Sequence, residues 1–507
     1  MAASKRATGR PARTFLGHPR GLATLFMTEL FERFTYYGMR SVLVLFLVAA
    51  TDASNPGLGM DRTTAGAVYG LYTGAVYLGS LPGGWIADRL IGPRRAVLWG
   101  ALITMLGNFI LAIPASASVF YFGLAVIAVG VGLLKPNATV LVGALYDGQP
   151  GARRDAGFSI FYVGINLGAL VAPLIAGTIG ETFNWRLGFL AAGVGMGAGA
   201  IQYKLTEGYL PDAEPQPTKL SAAARRRMGR LSALFLAFVL IFATLTLTGI
   251  VQISVLSLAK IFGTALIGLA VFFFLNLLLV ARLTRGERAH VGVIAILFVC
   301  SALFWAGSGQ HATTFNLFAL DYTDRSSFGH LFREGVHPAS WYQSINPIFI
   351  VLFAPFFAWL WVALGARNRD PGIPVKFGLG LILQGLGFLV LMLAAQLIVA
   401  TGNQAAPTWL LMAYLLHTFG ELCLSPVGLS TVTKLAPARY AGQMIGTWFL
   451  GTAVGNVFAG LIGGHVGSLD AATLPEQFLL MTVTGVGSGV LMLAFAGPIR
   501  NWIGTAQ

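Results

Sequence analysis

The stretch "TELFERFTYYGMR", residues 28–40, sits inside an apolar run from Gly21 to about Ala50, yet it carries two glutamates and two arginines. A segment of about 20 mostly apolar residues is long enough to cross a bilayer. Each charge at mid-depth costs roughly 2.5–3.5 kcal/mol on insertion scales. At about 100° per residue, Glu29, Glu32, Arg33, Tyr36, Tyr37 and Arg40 share one arc of about 140°. Phe31, Phe34, Thr35, Gly38 and Met39 take the other side. A face of that kind must look into a bundle or a water-filled cavity rather than lipid. Ion pairs placed there only to hold helices together would be a poor choice, because buried pairs stabilise less than apolar packing.

The rest of the chain agrees with a membrane setting. Of 507 residues, 56% are hydrophobic, 10% are charged and 64 are glycine, far from the roughly 25% charge of a soluble domain. Fourteen spans are expected: about 21–50, 65–87, 96–114, 118–145, 157–178, 186–206, 231–256, 260–281, 291–320, 341–364, 374–400, 407–433, 441–467 and 476–498. With the N-terminus inside, the tail, the even-numbered loops and Arg500 hold 25 of the 33 Lys and Arg. Five fall outside: Arg62, Arg186, Lys260, Arg325 and Arg333. This bias explains the net charge of +14 without nucleic acid and places both termini in the cytoplasm. Three basic residues remain within spans: Arg33, Arg40 and Lys135.

The first apolar run is too long for a cleavable signal peptide and lacks a small-residue cleavage site. Cys300 and Cys423 fall in apolar helices and suggest neither a disulfide nor a metal site. Gly-rich runs such as 193–201 follow no strand, and no GxxxxGK[ST] motif occurs; they suit close helix packing. Asn137-Ala138-Thr139 fits a glycosylation pattern but lies within a span. The simplest parse has three parts. Residues 1–206 form a tail and a six-helix bundle, 207–290 a basic linker and two inserted helices, and 291–507 a second six-helix bundle. The inserted pair lacks the charged face of an interfacial helix and is expected to span.

Few acids lie deep. Glu29, Glu32 and Glu421 do, whereas Asp88 and Asp155 are expected to cap helix ends. Glu421 stands in "HTFGELCLSPVGLS" (417–430), a helix expected to break at Pro426, where freed carbonyls can line a cavity.

At these residues the chain resembles the proton-dependent oligopeptide transporters of the major facilitator superfamily, over nearly its full length. The family's ExxERFxYYG motif stands as Glu29, Glu32, Arg33, Tyr36, Tyr37 and Gly38. "GGWIADRLIGPRRAV" (83–97) matches the loop after the second helix, with Asp88 and Arg89 as the superfamily's cytoplasmic hinge. "GLLKPN" (132–137) supplies Lys135, and "FSIFYVGINLGAL" (158–170) supplies Asn166. "SINPIFIVLFAPFFAWLW" (344–361) and "GELCLSPVGLSTVTKLAPARYAGQMIGTWFLG" (420–451) match the second half, with Asn346, Glu421, Ser425, Trp448 and Phe449. The inserted pair also looks like that of bacterial members.

The resemblance implies an all-α integral membrane protein of the major facilitator fold, two six-helix bundles plus two inserted helices, importing di- and tripeptides with protons. The charges make that intelligible, since a short peptide keeps two charged ends while its side chains vary. Arg33, Lys135 and Tyr37 are expected to hold the peptide carboxylate, with Arg40 nearby. Glu421, Asn166 and Asn346 are expected to hold its amino terminus, beside Ser425. Tyr36, Tyr77, Trp341, Trp448 and Phe449 would line the side-chain space. Proton coupling is expected through Glu29 and Glu32 against Arg33 and Lys135, and gating through Arg40, Asp88, Arg89 and His311.

One departure stands out. The family usually has an acidic residue in a pattern like FWAxxEQ, pairing with the arginine represented by Arg40. This chain reads "FWAGSGQHATT" (304–314), with Gly309 there. His311 is two residues on and carries the side chain type whose ordinary range is near neutral pH, but two positions is about 200° around a helix. Expected partners are short peptides, protons and membrane lipid, with no nucleic acid, cofactor or metal. The protein is expected to be a monomer in a bacterial inner membrane. Other readings are a carrier of another small anion or zwitterion, or a proton-driven efflux antiporter. An intramembrane enzyme is weak, because no deep Asp pair, HExxH or Ser/His dyad appears.

Overall fold

Capping chemistry sets where the helices begin and end. Asp61 accepts a hydrogen bond from the Thr64 N–H at 2.9 Å and starts the second helix. Hydrogen bonds from Thr64 hold the Asp61 carboxyl below its usual range. Thr284 and Glu287 form a capping box at residue 285. Pro374 and Pro407 stand in first turns, where the missing N–H costs nothing. Gly402 ends a helix at φ +70°.

In the computed structural model of the chain, residues 14–114, 116–211, 254–332, 334–468 and 470–504 are described, with positions 226 and 230. The helices are α1 (Gly21–Val48), α2 (Arg62–Ile86), α3 (Pro93–Ala112), α4 (Ala117–Ala144), α5 (Gly151–Ala172), α6 (Trp185–Thr206), α7 (Val255–Leu275), α8 (Arg285–Ser308), α9 (Thr314–Tyr322), α10 (Ile345–Ala366), α11 (Ile373–Thr401), α12 (Pro407–Leu435), α13 (Ala441–Gly467), α14 (Leu474–Ala494) and α15 (Ala496–Gly504). No strand occurs among the described residues. Among the described residues, ten helical runs are long and apolar enough to cross a membrane. Helices α1, α2 and α6, of 28, 25 and 22 residues, have the length as well.

Two sequence expectations change, and a third is left untested. The expected span 231–256 lies outside the described residues except for its end, so a count of fourteen is not established. Lys260 is not in a loop but inside α7, exposed. Helix α12 does not break at Pro426, since it runs unbroken from Pro407 to Leu435; neighbouring helices tolerate a proline within a buried bundle.

Helices α1 to α6 pack mainly among themselves, with α1 against α5 and α6 and α4 against α2 and α3. Helices α8 and α10 to α14 form a second set, with α11 against α12 and α14, α8 against α13, and α10 against α12. The two sets meet along α2–α13 and α5–α10, and α7 lies against both α2 and α13.

The end that carries loop 49–61 is sealed. Gly66 and Gly70 face Gly460 and Gly464 across the α2–α13 seam, and a Cβ on Gly66 would stand 2.3 Å from the Gly460 carbonyl oxygen. Only glycine allows backbones so close. Arg62 pairs with Asp321 at 2.5 Å and donates to the Gly467 carbonyl at 2.9 Å. Asn316 donates to the Ser41 carbonyl, and Ser344 to that of Leu170. Among the described residues, the hydrogen bonds joining the two sets lie between this end and mid-depth, and none lies towards the tail end. Replacing Gly66 by valine should prevent this seal. In a protein with cysteines at 62 and 321, the valine should cut oxidative cross-linking several-fold, because overpacking costs about 1–3 kcal/mol.

Candidate functional site

The polar arc of α1 points inward, as its spacing requires. Glu29, Glu32 and Arg33 are buried. Arg33 Nε lies 3.2 Å from Glu29 and also contacts Glu32, so one guanidinium serves two carboxylates. Among the described residues, its Nη2 and one oxygen on each glutamate have no hydrogen-bond partner, so this cluster has unused capacity for a ligand or a proton. Lys135 reaches in from α4, with Nζ 4.5 Å from the Tyr77 ring centroid. It is within electrostatic range of Glu29, Glu32, Arg33 and Tyr37. Tyr36 stacks on Tyr72 at 6.5 Å, and Arg33 stands 5.3 Å over its ring.

The second set of helices supplies the opposing charge. Asn346 of α10 donates to Glu421 at 3.0 Å and to the Thr418 hydroxyl at 3.1 Å, fixing the carboxylate on α12. Tyr37 and Tyr77 each lie within electrostatic range of both Arg33 and Glu421. Tyr162 and Arg40 are within range of Glu421 as well. Cations of one bundle and a carboxylate of the other therefore share Tyr37 and Tyr77 as common neighbours.

Other expected residues are placed differently. Asn166 donates to the Tyr162 carbonyl of its own helix at 2.9 Å and neighbours Glu421 only through Tyr162. Ser425 is half-buried one turn beyond Glu421, and Phe449 is half-buried. Trp448 packs over Gly428, where a Cβ would lie 2.1 Å from its ring. Trp341 is not at mid-depth. It donates to the Thr178 hydroxyl at 2.7 Å and packs on Phe332 near the loop end, because it stands in the short 3-10 helix Ala339–Ser344 that precedes α10. Asp88 and Arg89 are exposed in a π turn, Ala87–Ile91, at the tail end; Asp88 caps nothing, and Asp155 lies within α5, whose N-cap is Pro150.

The region around Gly309 also departs from expectation. Helix α8 ends at Ser308 and tightens into a 3-10 turn, Gly309–Ala312. His311 therefore does not follow α-helical phase. It makes no ion pair with Arg40; its Nε2 lies 3.0 Å from His417 Nδ1. Arg40 instead stands 5.4 Å over the Tyr37 ring, and Tyr69 donates to the Gly309 carbonyl at 3.3 Å. A Cβ at Gly309 would stand 2.6 Å from Ala459, so this packing leaves no room for a side chain there.

Sequence reading missed three contributors. Glu181 accepts from the Ala339 and Ser340 N–H groups at 2.8 Å each, with Arg325 at 3.9 Å, and so pins the loop end across the two sets. Asp321 does the same with Arg62. Nothing local distinguishes either from an ordinary loop acid. Burial pushes the His337 imidazole below its ordinary value beside this cluster. His417 did carry a signal, lying four residues before Glu421 on the same helix face.

A family model described as the POT family matches residues 94–472. The chain is 38% identical over 509 residues to the peptide transporter YePEPT of Yersinia enterocolitica subsp. palearctica, covering 98% of this chain and 97% of that protein. It is 37% identical over 501 residues to a di-/tripeptide transporter of Lactococcus lactis subsp. cremoris, covering 98% of each. A crystal structure of a peptide transporter POT in complex with sulfate matches with a TM-score of 0.88 at 38% identity, over 97% of both chains.

Proposed function

The chain belongs to the POT family, and from that membership we propose that it imports di- and tripeptides together with protons, by alternating access around the mid-depth site. The observation that carries this reading is the pair of opposed anchors. Arg33, with a free Nη2, and Lys135 suit a peptide carboxylate. Glu421, held by Asn346, suits the amino terminus. Ligands between them need only the two ends in common, which explains tolerance of varied side chains.

Coupling follows from charge balance. Arg33 contacts both Glu29 and Glu32, and Lys135 within electrostatic range supplies the second positive charge that balances them. When a peptide carboxylate claims Arg33, a proton on Glu29 or Glu32 restores the balance, because an uncompensated buried charge is costly. Proton and peptide then move together. One charge falling through 100 mV is worth about 2.3 kcal/mol, roughly a fifty-fold concentration of peptide.

With both termini in the cytoplasm of a bacterial inner membrane, the sealed loop end is extracellular and the chain is in an inward-facing arrangement. The exposed Asp88 and Arg89 then act at the cytoplasmic end. The division into 1–206, 207–290 and 291–507, and a monomeric working unit, belong to the same reading. Purified protein in liposomes, with pH and voltage gradients imposed separately, tests it. Dipeptide accumulation driven by either gradient is expected; accumulation indifferent to both would overturn the coupling, and export against an inward proton gradient would overturn the direction.

Within this site Lys135→Ala should raise the half-saturating dipeptide concentration about tenfold, the cost of one charge-assisted contact. Uptake competition by unlabelled dipeptides measures it.

A further inference from the structure

We propose that His311 and His417 together form a one-proton binding site that is loaded when the loop end parts and that opposes Arg40 in closing it. This rests on the transport reading above and adds a second proton site, on the bundle opposite Glu29 and Glu32.

The geometry sets the capacity. The two rings are 6% and 1% exposed, and His311 Nε2 and His417 Nδ1 are 3.0 Å apart, which leaves room for a single hydrogen between them. In the uncharged pair, one ring donates that hydrogen and the other accepts it. The bare nitrogen is then either His311 Nδ1 or His417 Nε2; the latter has no partner at full hydrogen-bond geometry among the described residues, and the Gln384 backbone is the group beside His417 that an added proton there can meet. One added proton goes to that outer nitrogen and makes the bond between the rings charge-assisted. A second would set N–H against N–H, so the pair holds one and no more.

The surroundings give that charge an effect. Among the described residues, Arg40 from α1 is the charged group within electrostatic range of His311. Tyr414 of α12 packs on the His311 ring and itself neighbours Arg40, Tyr69 of α2 and Tyr342 from the 3-10 segment before α10, while Glu421 lies one turn further along α12. Helix α11 offers Gln384 and Phe388, α9 offers Phe315, and α13 places Asn456 beside Gly309. Arg40 has no carboxylate at ion-pair distance among the described residues; its near neighbours are tyrosines. A proton on the pair therefore adds to the charge of Arg40, which Glu421 offsets only from beyond ion-pair distance, and like charges repel strongly where water is scarce.

Arg40 and the pair sit on opposite bundles, joined here by the hydrogen bond from Tyr69 to the Gly309 carbonyl, two residues before His311. Repulsion between them favours the arrangement in which that contact is broken. Parting the bundles also admits the water that delivers the proton. Closure then requires the pair to release it, and Glu421 lies one helical turn further along α12.

Dipeptide exchange in proteoliposomes, at outside pH from about 5 to about 8 where histidines titrate, tests this with His311→Gln, His417→Gln and the double variant. Wild-type exchange should change several-fold across that range. Each single variant should flatten the profile to within about twofold, and the double variant should flatten it no further, since both remove one site. A wild-type profile in either single variant overturns the proposal, as does a fully additive double variant; a purely structural pair would change rate without changing the profile. If neither variant folds, ring nitrogen NMR of histidine-labelled wild-type protein decides. Two rings coupled across one N–H···N bond should titrate in a single joint step, and rings that titrate independently, or remain neutral down to about pH 4, refute the shared site. Wild-type vesicles that exchange no dipeptide would count against the transport reading alone, because the ring titration does not depend on transport.

Discussion

Glu32→Gln should lose acid-driven accumulation of dipeptide while slowing peptide exchange far less. Glu32 is buried and in contact with Arg33, and its second oxygen has no partner. Glutamine keeps the shape and can still accept a hydrogen bond from Arg33, but it cannot gain or lose a proton. The variant should bind peptide and rock without a proton entering the balance. Concentrating power from a 100 mV potential, roughly fifty-fold for one proton, should fall to near one. Exchange, which needs no net proton movement, should persist. The pair of measurements separates coupling from binding, and accumulation at the wild-type level would remove Glu32 from the proton path.

The second large effect is expected at the opposite anchor. Glu421→Gln should raise the half-saturating concentration of an ordinary dipeptide about 10- to 100-fold, because a hydrogen bond to a charged group contributes about 1.5–3 kcal/mol. Asn346, which donates to Glu421 at 3.0 Å, can donate equally to the glutamine carbonyl, so the site should keep its shape. The control is a dipeptide whose amino group is acetylated. With no ammonium to pair, it should compete equally well against the variant and the wild type. A uniform loss for both ligands would mean that Glu421 supports the fold rather than the amino terminus.

Much of the site was legible because bilayer physics makes charged residues expensive. Glu29, Glu32, Arg33 and Lys135 stood out as ionisable groups inside spans, and helical phase alone put the α1 residues on one face. The cross-bundle pins were not legible. Glu181, Asp321 and Arg62 lie near span ends, where a charge costs little and many are found, so nothing in the sequence marks the few that meet. Pro426 misled for a related reason: proline breaks an isolated helix, while packing keeps α12 continuous. At Gly309–Ala312 the error was one of phase, since a 3-10 turn redirects His311 away from the α-helical projection. Cues of composition and period reach as far as regular geometry lasts, and the Gly309–Ala312 turn begins where it stops.

Helix α7 touches α2 and α13 at once, with Phe262 beside Gly74 and Gly263 beside Val457. Any tilt of one half past the other must shear these surfaces, and side chains that interlock would resist like meshed teeth. Bare backbone at Gly74 and Gly263 leaves little to catch, so under the proposed alternating access α7 would act as a low-friction bearing between the halves.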